Sequence, residues 1–151
     1  MFLKIGDKAP EFNLLDHNGD TVSLKSLSGQ RFLIWFYPKA STPGWTVEGV
    51  GFRDELNQFK NHDIKIFGVS ADSVKKQNNF HSKQNFNFSL LSDESLGMLK
   101  EYKAWGLKKF MGKEYMGIHR ISYIVDSKGV IEKVYEKVKT KTHAKDILND
   151  L

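Results

Sequence analysis

The sequence predicts an α/β protein with a central mixed sheet and helices on both of its faces. Residues 32–37 are six consecutive apolar residues ended by Pro38, which is typical of a strand buried on both faces. Residues 64–69, which read IKIFGV, predict a second strand, and residues 46–60 between the two strands carry apolar side chains at helical spacing. A strand, a helix and a strand in this order form a βαβ unit, whose strands are parallel and whose crossover is right-handed.

Shorter signals place the remaining elements. The dipeptide Asn18-Gly19 lies between the segments 12–15 and 21–24, which predicts an N-terminal β-hairpin. The other predicted elements are a helix capped by Asp72-Ser73 that runs to Gln84, a short strand at 90–91, a helical turn or two at 95–102, a strand over 121–125, a returning strand over 130–138, and a last helix over 145–151 capped by Thr142. Together they predict a thioredoxin-like layout in one domain of residues 1–151, since a chain of this length buries roughly 70% of its unfolded surface around a single core.

Cysteine is absent from the sequence. Disulfides, metal sites built on thiolates and cysteine catalysis are therefore excluded. The five histidines show no metal-ligand spacing, so we expect neither a metal nor a cofactor. The first eight residues carry charges where a secretory signal needs apolar residues, and no later run approaches the ~18 apolar residues of a membrane span. These observations predict a cytoplasmic protein without membrane contact.

The net charge of +5 is unevenly distributed along the chain. The segment from Lys103 to Lys145 carries eleven Lys or Arg residues against four Asp or Glu residues. Basic surfaces of this kind can bind nucleic acid. The cations here are nearly all lysines, spread singly without interleaved arginine and aromatic residues, so we expect a solvated face and no nucleic-acid partner.

The segment after the first buried strand is the candidate site. In open α/β sheets, ligands bind beyond the carboxyl ends of the parallel strands, which is where residues 37–46 lie. The segment leads into a helix, whose unpaired N–H groups and positive dipole end favour an anion or a developing negative charge. The chemistry at this point depends on the side chain at the start of the helix.

Residues 36–54 read FYPKASTPGWTVEGVGFRD. This segment closely resembles the active-site segment of peroxiredoxins of the AhpC/TSA type, in particular of the bacterioferritin comigratory protein or peroxiredoxin Q subfamily. Four further segments resemble blocks of that subfamily, in the same order and at the same spacing: 68–73, 90–94, 105–120 and 126–129. The resemblance covers nearly the whole chain.

The resemblance implies a known chemistry, and two residues depart from it. In this family a thiolate attacks the peroxide O–O bond, a second thiol resolves the sulfenic acid, and a thioredoxin-type protein is the reductant. Pro38 and Thr42 match the family's pocket motif, and Arg120 matches an arginine supplied from a distant strand. The position of the nucleophile is Trp45, and the resolving cysteine falls on Val50. The resemblance also implies peroxide substrates and a monomer or weak dimer.

Each retained residue also has a purely structural interpretation. Pro38 ends a strand, and Thr42 before a Pro-Gly pair organises a turn. Arg120 lies next to a predicted buried strand, where a guanidinium needs a partner, and the carboxylate of Glu48 is a candidate. Given the resemblance, we interpret these residues as an inherited pocket.

Trp45 decides which function this pocket can perform. An indole has one N–H donor and no ionisable lone pair with which to displace oxygen, so it cannot replace a thiolate. A site built for a thiol cannot hold the ring unchanged. Either the ring fills and closes the pocket with local shifts, or the first turn of the helix is remodelled and the ring turns outward.

Three functions are compatible with the sequence. The first is a degenerate peroxiredoxin that keeps the fold, lacks thiol peroxidase activity and acts as a binding or interaction module. The second is a repurposed enzyme that acts on an anionic ligand near Arg120, with Glu48 as the sole candidate base. The third is an artificially inactivated form of an active peroxidase, for which serine or alanine would be the ordinary replacement. We favour the first because both Trp45 and Val50 replace thiols.

Overall fold

The computed structural model describes residues 2–151, which form nine strands, five α-helices and a 3-10 helix at Lys25–Leu27. The strands are β1 (Asn13–Asp16), β2 (Thr21–Ser23), β3 (Arg31–Phe36), β4 (Ile64–Ser70), β5 (Ser89–Ser92), β6 (Trp105–Phe110), β7 (Lys113–Ile118), β8 (Ser122–Val125) and β9 (Ile131–Tyr135). The helices are α1 (Pro43–Asp54), α2 (Leu56–Asn61), α3 (Val74–Gln84), α4 (Gly97–Glu101) and α5 (His143–Asp150). No helix in this part of the chain is long and apolar enough to cross a membrane.

Seven of the strands form one mixed sheet in the order β2-β1-β5-β4-β3-β8-β9. β3 lies inside this sheet, parallel to β4 on one side and antiparallel to β8 on the other. The register pairs Phe32 with Lys65 of β4 and with Val125 of β8. β1 and β2 form the N-terminal hairpin, and β8 and β9 pair antiparallel. The predicted βαβ unit and mixed sheet are therefore confirmed.

The alternation of side chains along β3 divides the core into two layers. Residues 32–37 are all 1% exposed or less. The even-numbered ones belong to the layer that α4 covers, and the odd-numbered ones belong to the layer that α1, α2, α3 and α5 cover. Helices thus cover both faces of the sheet, as predicted, and the side chains of residues 32–37 are shielded from water.

The predicted helix over 46–60 is in fact two helices. α1 begins earlier, at Pro43, because a proline at the first helical position has no N–H to leave unpaired and a φ angle already suited to a helix. Helix α1 ends before Glu55, whose N–H bonds to the carbonyls of Arg53 and Gly51. Helix α2 starts directly after this residue. The apolar spacing continues across the break, so spacing alone predicted one uninterrupted helix.

Helix α5 also differs in detail from its prediction. It begins at His143, and Thr142 occupies the N-cap position without capping, since its hydroxyl donates to the Asp146 carboxylate at 2.8 Å. The buried imidazole of His143 lies 2.9 Å from the Ser122 hydroxyl of β8. Burial lowers the pKa of His143 to about 4, so the ring is neutral at pH 7 and joins α5 to the sheet.

The hairpin of β6 and β7 was not predicted. Its strands form a separate two-stranded sheet, with Trp105 opposite Ile118 at its base and Phe110 opposite Lys113 at its tip. Large apolar side chains are exposed on both of its faces. The sequence therefore lacks the apolar and polar alternation that marks a half-buried strand.

Helix α1 approaches the aromatic core so closely at one glycine that a methyl group does not fit. A Cβ on Gly49 would lie 2.5 Å from Cζ of Phe86, whose ring is stacked on Phe88. We expect Gly49→Ala to lower the free energy of unfolding by about 1–3 kcal/mol, because overpacking outweighs the better helix propensity of alanine. The measurement is urea-induced unfolding.

Gly51 in the same helix is the matched control. A Cβ there would lie 3.7 Å from the Cβ of Ala144, which is an ordinary contact. We expect Gly51→Ala to raise the free energy of unfolding by about 0.5–1 kcal/mol, since only the helix propensity changes. Equal effects of the two substitutions would contradict the close approach at Gly49.

Candidate functional site

The carboxyl ends of β3 and β4 meet at one edge of the sheet and hold the loop that leads into α1. Pro38 is half-buried where β3 ends. Beyond the end of β4, the Asp72 carboxylate accepts hydrogen bonds from the Ala40 N–H at 2.7 Å and from the Ser70 hydroxyl at 2.8 Å. A carboxylate that follows the neighbouring parallel strand thus fastens the predicted site loop.

Thr42 is the residue before α1 and organises the turn into it. Its backbone is extended, and its carbonyl accepts the Thr46 N–H at 2.9 Å. Its hydroxyl donates to the Lys39 carbonyl at 2.9 Å, within the loop. Ser41 before it has a left-handed φ of 62°, which tightens the turn. These contacts match the structural interpretation of Thr42, in which its hydroxyl stabilises the loop itself.

The indole of Trp45 faces the interior of the protein. Trp45 is 8% exposed and belongs to the same buried cluster as Trp35, Tyr37 and Phe52. Helix α1 is regular from Pro43 onward, so its first turn has not been remodelled to expel the ring. Of the two alternatives for this residue, the structure therefore shows the first, with an apolar ring where a nucleophile would stand.

Arg120 lies just before β8 and places its guanidinium on this ring. Its Cζ is 4.9 Å from the ring centroid of Trp45. A cation in this position is attracted by the negative face of the indole, which at an exposed site stabilises the contact by about 0.5–1 kcal/mol. Arg120 is exposed, so the expectation of a buried guanidinium was wrong. Within residues 2–151 it forms no ion pair with Glu48.

Glu48 lies one helical turn after Trp45 and is buried without a full set of partners. It is 2% exposed, and its Oε1 has no hydrogen-bond partner among the described residues. Burial raises the pKa of the Glu48 carboxyl to about 8, and the positive charge of Arg120 opposes that rise. At pH 7 this carboxyl is mostly protonated, so it does not neutralise Arg120.

Val50 occupies the position of the resolving thiol and is half-buried in α1. Its side chain packs against the same cluster that holds Trp45. Hydrocarbon and indole thus stand at the two positions where the family resemblance places thiols. Both replacements add apolar contacts to the core.

A buried polar network behind the loop was not predicted from the sequence. The Tyr37 hydroxyl donates to the side-chain carbonyl of Gln77, whose amide donates to the Ser70 hydroxyl at 3.0 Å and to the Leu91 carbonyl at 2.8 Å. Burial raises the pKa of Tyr37, so the phenol stays neutral. Through Ser70 the network reaches Asp72 and positions the loop. The available signal was that Ser70 and Asp72 follow the second buried strand.

The raised pKa of Glu48 makes the stability of the protein depend on pH. The folded protein holds the Glu48 proton more tightly than the unfolded chain, where the pKa is 4.5. The free energy of unfolding therefore falls as the pH rises from about 4.5 toward 8. We expect Glu48→Gln to remove this fall. Above about pH 8 the free energy of unfolding of the variant should exceed that of the parent by several kcal/mol, since one pKa unit corresponds to about 1.4 kcal/mol.

Urea unfolding measured on both sides of this pH range tests the expectation for Glu48. The control is Glu94→Gln, which replaces an exposed carboxylate and should leave the pH dependence unchanged. A Glu48→Gln protein with the pH dependence of the parent would show that this carboxyl ionises in the folded protein as it does in water.

Comparisons with known proteins agree with the fold and with the resemblance of the sequence. A model of the AhpC/TSA family matches residues 5–134. Peroxiredoxin Bcp of Escherichia coli K12 is 46% identical over 147 residues, which are 97% of this chain and 94% of that protein. Peroxiredoxin Bcp of Bacillus subtilis 168 is 41% identical over 151 residues, which are 100% of this chain and 96% of that protein.

Solved structures extend the agreement to three dimensions. The bacterioferritin comigratory protein of Xanthomonas campestris superimposes with a TM-score of 0.87 and 36% identity, over 92% of this chain and 88% of that chain. PrxQ of Xylella fastidiosa, in a cysteine-to-serine mutant, reaches a TM-score of 0.92 at 30% identity, over 99% and 96% of the two chains. The chain therefore belongs to the AhpC/TSA family of peroxiredoxins, in its bacterioferritin comigratory protein or peroxiredoxin Q subfamily, and carries no cysteine.

Proposed function

We propose that this protein is a peroxiredoxin homologue that lacks thiol peroxidase activity and serves as a binding or interaction module. The observation that carries the proposal is the buried indole of Trp45 at the nucleophile position, with Arg120 on its face. A thiol peroxidase forms a covalent sulfenic acid on its nucleophile, and an indole forms no such intermediate. The Trp45 ring occupies the place at the start of α1 that the family resemblance gives to the reactive thiol.

The reductive half of the family's cycle also lacks its reacting group. A thioredoxin-type reductant acts by thiolate attack on the sulfur of an oxidised cysteine. This chain has no cysteine to be attacked. Val50 at the resolving position offers only methyl groups. We infer that neither peroxides nor a thioredoxin-type protein are turned over, and that the protein acts in the cytoplasm as a monomer or weak dimer.

A role in binding is supported by what the chain has kept. The sheet, both core layers and the loop before α1 are intact, and Asp72 fastens that loop. Arg120 presents an exposed cation beside the start of α1, where the helix dipole also favours negative charge. The fold and a positive charge are therefore kept at this edge of the sheet, although no nucleophile stands there.

The alternative of a repurposed enzyme has weaker support. Its candidate base, Glu48, is 2% exposed and mostly protonated at pH 7, so a substrate would have to displace Trp45 and ionise the carboxyl. An artificially inactivated peroxidase would have the same structure. Sequencing the source gene at codons 45 and 50 distinguishes that alternative from a natural loss.

The activity prediction follows from Trp45. We expect the unmodified chain to consume no hydrogen peroxide above a protein-free blank when thioredoxin and its reductase are supplied. Trp45→Cys places a thiol at the start of α1 beside Arg120, and both features lower the pKa of a thiol. We expect this variant to form sulfenic acid with peroxide about tenfold faster or more than an ordinary exposed thiol. Trp45→Cys/Val50→Cys is expected to turn over with thioredoxin.

Two controls separate the possible outcomes of this assay. Val47→Cys puts a thiol on an exposed position of the same helix, and Trp45→Ser removes the indole without adding a thiol. Circular dichroism shows whether the variants at position 45 fold. Peroxide turnover by the unmodified chain would refute the loss of activity. A folded Trp45→Cys protein no faster than Val47→Cys would show instead that Thr42 and Arg120 no longer form a working pocket.

A further inference from the structure

The β6–β7 hairpin forms a two-stranded sheet of its own and exposes large apolar side chains. These side chains are Leu107, Phe110, Met111, Tyr115 and Met116, with exposed fractions from 47% for Tyr115 to 87% for Met111. Single exposed apolar residues are common on soluble proteins, whereas extensive exposed apolar surface marks a region that contacts something else, and here five large apolar side chains are exposed within ten residues. Packing within this chain therefore does not account for the apolar side chains of the hairpin.

The exposed apolar residues lie on both faces of the hairpin and at its tip. The register places Leu107 opposite Met116, so these two share one face. By the alternation of side chains, Phe110 and Tyr115 lie on the other face, and Met111 occupies the turn. A protein that docks on one face of a sheet would leave the other face exposed. The headgroup region of a membrane, in contrast, contacts both faces of a tip that enters it.

Met111 is an unusual residue for its place in the turn. Met111 and Gly112 have φ angles of 51° and 79°, the geometry of a type I′ turn. Asparagine, aspartate or glycine is preferred at the first of these positions, and a bulky side chain is strained there. The side chain of Met111 is also outside the core. Neither the turn nor the core accounts for a methionine at this point, which indicates a contact beyond the chain.

Cations flank the apolar tip. The segment from Lys103 to Arg120 contains five Lys or Arg residues and one carboxylate, so it carries +4 of a total of +5. However, Lys108 donates to the Ile118 carbonyl at the base of the hairpin and Arg120 lies on Trp45, so Lys109 and Lys113 are the lysines at the tip. The carboxylate, Glu114, lies 3.5 Å from Lys109 in an exposed ion pair. Lys113 is exposed beside the turn. The tip is therefore both apolar and cationic, a combination that matches an anionic membrane interface.

We propose that the tip of the β6–β7 hairpin binds the surface of an anionic phospholipid membrane, with Phe110 and Met111 entering the headgroup region and the nearby lysines contacting lipid phosphates. The solvated face and the absence of membrane contact expected from the sequence do not explain the exposed apolar residues between these lysines. The proposal does not depend on Trp45 or on the loss of peroxidase activity.

Vesicle co-sedimentation of the full chain tests the proposal. One set of vesicles contains equal amounts of phosphatidylserine and phosphatidylcholine, and the other contains phosphatidylcholine alone. We expect binding to the first set, much weaker binding to the second, and release by high salt, because each lysine near an anionic surface strengthens binding about fivefold. In Met111→Trp, the indole emission should shift to shorter wavelength on the anionic vesicles.

Substitutions in the hairpin separate the apolar from the electrostatic contribution. Phe110→Ser/Met111→Ser should weaken binding about tenfold, because the inserted apolar surface is lost. Lys109→Gln/Lys113→Gln should weaken it tenfold or more, at about fivefold for each lysine. All four side chains are exposed, so the variants should unfold at the same temperature as the parent.

Matched controls carry the same chemical changes elsewhere. Leu15→Ser removes an exposed apolar side chain from β1, and Lys75→Gln/Lys76→Gln removes two exposed charges from α3. Both should bind anionic vesicles nearly as the parent does. Absence of vesicle binding, equal binding to neutral vesicles, or equal losses in the control and hairpin variants would overturn the proposal. Self-association that Phe110→Ser/Met111→Ser abolishes, without vesicle binding, would assign the tip to a second copy of this chain.

Discussion

The parallel pairing of β3 with β4 is the constraint on which the rest of the structure depends. Because both strands end at the same edge of the sheet, the loop after β3 and the Asp72 carboxylate after β4 meet there. Helix α1 must then return across the layer that contains the odd-numbered residues of β3. This arrangement brings position 45, in the first turn of the helix, against the aromatic core. What the site can do is set by the side chain at that position.

The electrostatics around position 45 favour a negative charge that no side chain places there. The start of α1 and the guanidinium of Arg120 both favour negative charge at position 45. Trp45 provides only the negative face of its ring, which holds the cation without an ion pair. The carboxyl of Glu48 is close in sequence, but its burial keeps it mostly protonated at pH 7. The result is a stable contact that carries no reactive group.

The large apolar side chains of Trp45 and of the β6–β7 hairpin lie in opposite environments. At position 45, where the family resemblance places a reactive thiol, an apolar ring is buried in the core. At the hairpin, apolar side chains such as Phe110 and Met111 remain in solvent although no core is within their reach. Trp45 therefore adds apolar contacts to the core and supplies no reactive group. The hairpin therefore leaves large apolar side chains exposed on a two-stranded sheet that is separate from the main one.

The sequence by itself determined the elements whose signals are local: the buried strands β3 and β4, the hairpin at Asn18-Gly19, helix α3 with its Ser73 cap, and the loss of both thiols. Periodicity, turn chemistry and residue identity are readable over a few neighbouring residues. The tertiary structure alone decided that the Trp45 ring turns inward, that Arg120 covers it and that burial raises the pKa of Glu48. It also decided that β6 and β7 pair outside the main sheet. These features depend on burial and on partners from distant parts of the chain, which local spacing does not record.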